Sequence, residues 1–269
     1  MGILKHKFLH NIDSPERTLE HKNLIASKSF LKRIYLDWYA WFLKVLQNLP
    51  QGTIIELGSG GGFLKELEPS IICTDILELS HNDLCMSALN MPFEDNEISG
   101  IFMIDTFHHI PDIKKFLVEA NRVMKKNAKI LMVEPANSLW GRWIYKNFHH
   151  EPFYPEGNWM IDQTGPMSGA NGALPWIVFE RDRLLLNQLF PELEICSIRY
   201  HSPFKYLISG GVSYRQLLPG KLFPFINAFE NVLSRISKHF SMFVSIEMLN
   251  SSYKCNFWFF KISIKKFIW

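Results

Sequence analysis

A few groups of side chains in this sequence are of the kinds that hold ligands or move protons. Glu56 stands two residues ahead of alternate glycines, Gly58, Gly60 and Gly62. Such a turn lays bare backbone against a ligand, and the carboxylate suits a ligand carrying positive charge. Asp75 follows about twenty residues later, the distance at which an open α/β fold sets an acid on ribose hydroxyls. The competing role for Asp75 is a cap on the next turn. His108 and His109 form one imidazole pair, and His149, His150 and Glu151 form a second cluster. Imidazoles serve as general bases or as metal ligands. The run His-His-Glu is not a spacing that one helix face presents to a metal. A general base, or a structural loop pair, is the reading for these residues, and no metal site is expected.

The elements that must position these groups are legible around them. Thr53 to Leu57 is a short apolar run that reads as a buried strand. The glycine turn follows, and Phe63 to Leu67 can form a helix. Strand, glycine turn and helix open a doubly wound α/β domain. Ser70 to Asp75 reads as a second buried strand ending in an acid. Ile98 to Ile104 is another, running through Asp105 into the histidine pair. Open α/β sheets bind ligands at the carboxyl ends of their strands, which places Asp105 to His109 at that edge. A helix from Asp112 to Met124 leads to the strand Lys129 to Pro135. Upstream, Ser14-Pro15-Glu16 has the order of a helix start. Ser29 to Leu46 carries apolar residues at helical spacing; it packs on the sheet, or its beginning covers the site.

The glycine turn separates two ligand chemistries. A dinucleotide fold wants a third glycine at position 63, where this chain has Phe. Glu56-Leu57-Gly58-Ser59-Gly60-Gly61-Gly62 instead resembles the first motif of class I S-adenosylmethionine-dependent methyltransferases, whose ligand carries a sulfonium and an ammonium and no phosphate. Asp83 to Asp95 resembles the D-A-x-x-L-P-F-x-D segment of a large subfamily acting on small molecules and lipids, with Ser87 where an acid contacts the adenine amino group. Asn121 to Asn127 resembles its R-V-L-K-P-G-G turn, with Asn127 and Ala128 in place of two glycines; Asn tolerates the left-handed conformation of a helix C-cap. The resemblance runs over residues 53 to 135 with the motifs in order.

That resemblance implies an α/β fold with a seven-stranded, doubly wound sheet in the order 3-2-1-4-5-7-6, strand seven antiparallel and helices on both faces. It implies S-adenosyl-L-methionine as cofactor, held by Glu56, Gly58, Ser59, Gly60 and Gly62, by Asp75 and Ile76, by Ser87 and Ala88, and by Asp105, Phe107 and His108. His109, His149 and His150 are the candidate bases. Arg181 to Phe190 fits the next helix, Leu193 to Tyr200 the sixth strand, and Cys255 to Ile264 the seventh. One methyltransferase domain would then span residues 1–269, with a helical segment over 1–50 and cap insertions over 136–175 and 202–253. The alternatives are an NAD(P)-dependent oxidoreductase and a non-catalytic scaffold of the same fold.

Composition narrows the partners. The chain has 269 residues, a net charge of +3, and 47% hydrophobic residues, enough for a sizeable core. Its basic residues are dispersed, which argues against nucleic acid. The 4 cysteines have no metal-binding or redox spacing. No secretory h-region or membrane-spanning stretch is apparent, so a cytoplasmic protein is expected. Trp140, Trp143, Tyr145, Phe148, Phe153, Tyr154 and Trp159 crowd the first insertion, which suggests an apolar or lipid-linked acceptor. Leu222 to Met248 looks partly helical and amphipathic. It would pack on the domain or on a twin subunit, or lie on a membrane as a peripheral contact.

Overall fold

The computed structural model describes residues 5–162 and 164–251. The chain enters through two helices. Ser14 caps α1 (Pro15–Ser27): its hydroxyl accepts from the Arg17 N–H at 3.3 Å, and Pro15 opens the first turn. After Lys28, α2 (Ser29–Leu46) buries Phe30, Leu31, Ile34, Trp38 and Phe42 along one face, the spacing read from the sequence. Phe42 stacks on Phe102 of the sheet, with ring centroids 5.0 Å apart.

The sheet has seven strands, β1 (Thr53–Leu57), β2 (Ile72–Asp75), β3 (Leu84–Cys85), β4 (Ile98–Ile104), β5 (Met124–Pro135), β6 (Leu193–His201) and β7 (Phe243–Asn250). Their spatial order is β3-β2-β1-β4-β5-β7-β6, as expected. β1 to β5 pair in parallel, and β7 runs antiparallel to both β5 and β6. All of β4 is buried, as a parallel strand covered on both faces must be. The helices are α3 (Phe63–Leu67), α4 (Ile113–Val123), α5 (Leu139–Phe148), α6 (Leu174–Trp176), α7 (Arg183–Leu189), α8 (Lys205–Ser209) and α9 (Phe223–Ile236).

Two sequence expectations are corrected here. The seventh strand is Phe243–Asn250, inside the stretch read as the second insertion, and α9 stops at Ile236. Phe243 to Leu249 pair residue for residue with Pro135 to Lys129, and that partner decides the matter. The stretch expected to form this strand, 255–264, lies outside the described residues. Asn127 is left-handed at φ 63°, but it stands beyond the end of α4, inside the opening of β5.

The glycine turn behaves as its sequence demands. Gly58, Gly60 and Gly62 have φ of 64°, 50° and 69°, a region closed to most side chains. A Cβ on Gly58 would also lie 2.5 Å from the Thr106 side chain. Gly58→Ala therefore combines left-handed strain with overpacking, and we expect a loss of about 2–5 kcal/mol, to be read from urea unfolding.

Candidate active site

The carboxyl ends of β1, β2 and β4 open into a cavity of about 340 Å³, within the usual size range of small-molecule sites. The turn after β1 forms its floor. Gly60 lines the cavity, and a Cβ there would meet nothing nearer than the Gly58 carbonyl at 3.9 Å. The backbone is thus bare on the ligand side. Asp75 ends β2 beside it, with Oδ2 accepting from the Gly60 N–H at 3.1 Å and Oδ1 from the Leu77 N–H at 3.0 Å. Each oxygen keeps acceptor capacity for hydroxyl donors. Burial raises the Asp75 pKa despite these bonds.

Glu56 is buried behind the floor, and Cys73 Sγ donates to its Oε2 at 3.6 Å. Burial pushes its pKa up to about 8, against the Cys73 and Tyr39 contacts that favour the charged form. Asp105 is likewise raised to about 8, first by burial, with His108 opposing and Glu134 and Glu151 reinforcing the shift. Its backbone is left-handed, φ 49°. A buried carboxyl, Glu56, and a half-buried one, Asp105, thus face one cavity, and both favour a cationic ligand.

The other end of the cavity is built on Glu134, at the end of β5 and fully buried. Its Oε1 accepts from the N–H groups of Thr106 and Phe107 at 2.9 and 2.8 Å, and its Oε2 from His108 Nδ1 at 2.6 Å. The turn after β4 is pinned to β5 by one carboxylate. His108 Nε2 lies 3.2 Å from Glu151 Oε2. His109 donates from Nδ1 to the Gly169 carbonyl at 2.9 Å, and its Nε2 lies 3.7 Å from Glu151 Oε1. His149 and His150 approach the same carboxylate at 3.5 and 3.7 Å. Burial opposes a charge on His108, but Glu134 and Glu151 raise its pKa well above the ordinary value. Burial and the neighbouring His108 lower His109 to about 4. Burial alone would raise Glu151, but the surrounding histidines, His108 foremost, hold it well below the usual carboxylate range.

Most residues singled out from the sequence meet at this cavity. Glu56, Gly58, Ser59, Gly60, Asp75, Ile76, Ser87, Ala88, Asp105, His108, His109, His149 and His150 all line it. The remaining two serve it indirectly. Gly62 caps α3, where an added Cβ would lie 2.7 Å from the His81 ring. Phe107 is a core residue, packed on Phe116 and Phe179 at 6.0 and 5.0 Å. Ser87 uses its hydroxyl to accept from the Leu89 N–H at 3.2 Å.

The aromatic crowd of the first insertion is also redistributed. Of its seven rings only Tyr145 reaches the cavity. Trp140 and Trp143 stack on each other at 5.3 Å, and Phe153 is buried against Tyr145 at 5.2 Å. Aromatic walls come instead from Tyr35 and Tyr39 of α2, Phe63, Tyr206 and Phe243. Ile25 of α1, Ile110, Ile161 and Met167 complete an apolar wall. The helix α2 therefore fills both roles open to it, lining the site with Tyr35 and Tyr39 and packing on the sheet through Phe42, and α1 joins it at the cavity. Asp13 fastens this cover by accepting from the N–H groups of Met167 and Ser168 at 2.7 and 2.8 Å and from the Ser168 hydroxyl at 2.7 Å.

Sequence reasoning missed Glu134 and the central place of Glu151. An acid at the end of a strand was the available signal for Glu134, the same one that selected Asp75. Glu151 was seen only with its chain neighbours, because its other partners stand 43 and 42 positions away in the chain.

Residues 55–132 match the family described as a methyltransferase domain. No curated protein matches the chain. Among solved structures, geranyl diphosphate C-methyltransferase from Streptomyces coelicolor A3(2), in complex with Mg2+, geranyl diphosphate and S-adenosyl-L-homocysteine, is similar at a TM-score of 0.50 and 12% identity, covering 86% of this chain and 82% of that one. A geranyl diphosphate methyltransferase bound to GPP and sinefungin gives 0.50 and 11%, with 86% and 82% covered. A putative sarcosine dimethylglycine methyltransferase from Galdieria sulphuraria gives 0.45 and 14%, with 82% and 88% covered. At these identities the likeness concerns the fold. Residues 55–132 thus match a methyltransferase domain, and the strand order with its antiparallel β7 and the bare glycine turn beside Asp75 agree with a fold of the class I S-adenosylmethionine-dependent kind.

Proposed function

We propose that this enzyme methylates a small acceptor with an apolar body and a hydroxyl nucleophile. The observation that carries this reading is the division of one cavity into a glycine-and-carboxylate floor, an apolar wall, and a histidine cluster around Glu151 at the far end. S-adenosylmethionine, when bound, supplies an activated methyl group on a positively charged sulfur.

The chain's own groups divide the remaining work. Gly58 to Gly60 would receive the cofactor against bare backbone, Asp75 would accept from the ribose hydroxyls, and Glu56 and Asp105 would balance its positive charge. The apolar wall would hold the acceptor's body, and α1 and α2 would keep water out. Fixing two reactants in line lowers a barrier by as much as about 7–11 kcal/mol. His149 and His150 beside Glu151 would take the hydroxyl proton, with His150, 45% exposed, as the member that passes it to solvent.

The same reading extends to a membrane surface. Phe225, Phe229, Val232 and Ile236 recur along α9 and are 58–73% exposed. Arg235 belongs to the same helix, and Lys238, two residues beyond its end, is paired with Glu180 at 3.3 Å. An exposed apolar helix face with basic neighbours suits an anionic lipid surface. Among the described residues no helix is long and apolar enough to cross a membrane, so the contact would be peripheral.

These readings set three measurements. Calorimetry should detect S-adenosylhomocysteine binding, and Asp75→Ala should weaken it by about 1.5–3 kcal/mol, the worth of hydrogen bonds to a charged group; unchanged affinity would remove Asp75 from the cradle. The second concerns protons. Between pH 4.5 and about 8 the folded chain holds a proton on Glu56 that the unfolded chain has released, so stability conferred by this group declines as pH rises through that window. A cationic ligand favours the charged carboxylate. Binding of S-adenosylmethionine at pH 7 should therefore release protons, seen as buffer-dependent heats, and Glu56→Gln should diminish the release. Third, the protein should float with anionic liposomes, and the double variant Phe225→Asp, Phe229→Asp should not; equal flotation would exclude α9 as the contact.

A further inference from the structure

One feature of the cavity is unexplained by methyl transfer alone. Four imidazoles converge on the single carboxylate of Glu151, at 3.2 to 3.7 Å. These separations are wide for charge-assisted hydrogen bonds, which run at about 2.7–2.9 Å. The same His108 ring makes a contact of 2.6 Å on its other side, with Glu134. The loose spacing is therefore peculiar to the side that faces Glu151. Ligands about 2.1 Å from one metal stand about 3.0–3.4 Å apart at right or tetrahedral angles; His108 Nε2 already stands in that range from Glu151 at 3.2 Å, and His109 Nε2, at 3.7 Å, would move closer on binding an ion.

We infer that His108 Nε2, His109 Nε2 and the Glu151 carboxylate bind one first-row divalent cation, of the zinc or manganese kind, whose open positions take an oxygen of the acceptor. One ligand atom from each of the three residues lies within 4.8 Å of the others. Each ring is already oriented from behind. His108 presents Nδ1 to a buried carboxylate and His109 presents Nδ1 to the Gly169 carbonyl. This backing fixes the tautomer that leaves Nε2 for a metal, and it is the usual arrangement around metal-binding histidines. Two imidazoles and a carboxylate on one side of an ion, with positions left open, are a ligand set for zinc, iron or manganese.

The second triad, His149, His150 and Glu151, lacks such backing. His149 Nδ1 faces the Glu151 N–H at 3.4 Å, and the His150 side chain is 45% exposed. The three proposed ligands all line the methyl-transfer cavity. A cation there would bind the acceptor's oxygen and acidify its hydroxyl as a Lewis acid. This role for the open positions rests on the methyl-transfer reading, whereas binding of the ion can be measured apart from it.

The test uses full-length protein stripped with a chelator. Mn2+ is titrated by electron paramagnetic resonance and Zn2+ by calorimetry, and S-adenosylhomocysteine binding is measured on every sample. We expect one bound cation per chain. His109→Ala and Glu151→Gln should weaken it more than the about 10–100-fold that an outer partner commands. Glu134→Gln should fall within that range, and His149→Ala and His150→Ala should leave metal affinity unchanged. Retained S-adenosylhomocysteine binding certifies that each variant is folded. Wild-type protein that binds S-adenosylhomocysteine but neither cation overturns the site, leaving a metal-free hydrogen-bonded cluster. Undiminished affinity in His109→Ala, or a loss that follows His149→Ala instead, also overturns the assignment. Cation binding without S-adenosylhomocysteine binding would defeat the methyl-transfer reading and leave the metal site standing.

Discussion

The cavity depends on one buried carboxylate. Glu134 sits at the end of β5 with no exposure, and three donors from the turn after β4 converge on it. A buried carboxylate without such donors costs several kcal/mol, so the turn cannot leave without stranding the charge. The consequence is geometric. Thr106, Phe107 and His108 are held against β5 while Asp105, just upstream, adopts a left-handed conformation. That turn brings Asp105, His108 and His109 to the cavity and sends Phe107 into the core between Phe116 and Phe179.

Electrostatics then divide the cavity. At the floor, Glu56 and Asp105 are carboxyls pushed up to about 8, chiefly by burial. At the far end, Glu151 is held down by its histidines even though burial pulls the other way. The difference lies in the partners: Glu56 has a thiol and a tyrosine beside it, and Glu151 has four imidazoles. The far end therefore already contains positive charge, whereas Glu56 at the floor has only a thiol and a tyrosine beside it. A cationic cofactor and a separate polar end for the acceptor's nucleophile fit that asymmetry.

The cover over the site is tied down by polar contacts at both ends of α1. Asp13 accepts three hydrogen bonds from Met167 and Ser168. Lys28, buried between α1 and α2, donates to the Gly211 carbonyl at 2.6 Å and to that of Tyr214. Burial lowers the Lys28 pKa to about 8.

The sequence by itself determined what neighbours in the chain decide. The alternate glycines had to be a turn because left-handed backbone at positions 58, 60 and 62 excludes most side chains. Helical spacing placed α2, and Ser14 with Pro15 placed the start of α1. Acids at strand ends located Asp75 and Asp105 at the ligand edge, since parallel strands all deliver their carboxyl ends to one side. Only the tertiary structure decided the rest. Phe243–Asn250 lies in a stretch that reads as part of an amphipathic helical insertion, and only its pairing with β5 makes it a strand. The aromatic crowd of the first insertion could not be divided between core and cavity from its composition, because its partners are Phe204 just ahead of α8, Met242 just ahead of β7 and the insertion itself. The histidine cluster is the clearest case. His108 and His109 meet Glu151 across 43 and 42 positions of chain, and Glu134 meets His108 across 26. No local periodicity encodes such contacts; they form because β4 and β5 are neighbours in the sheet and α5 turns the chain back over their ends.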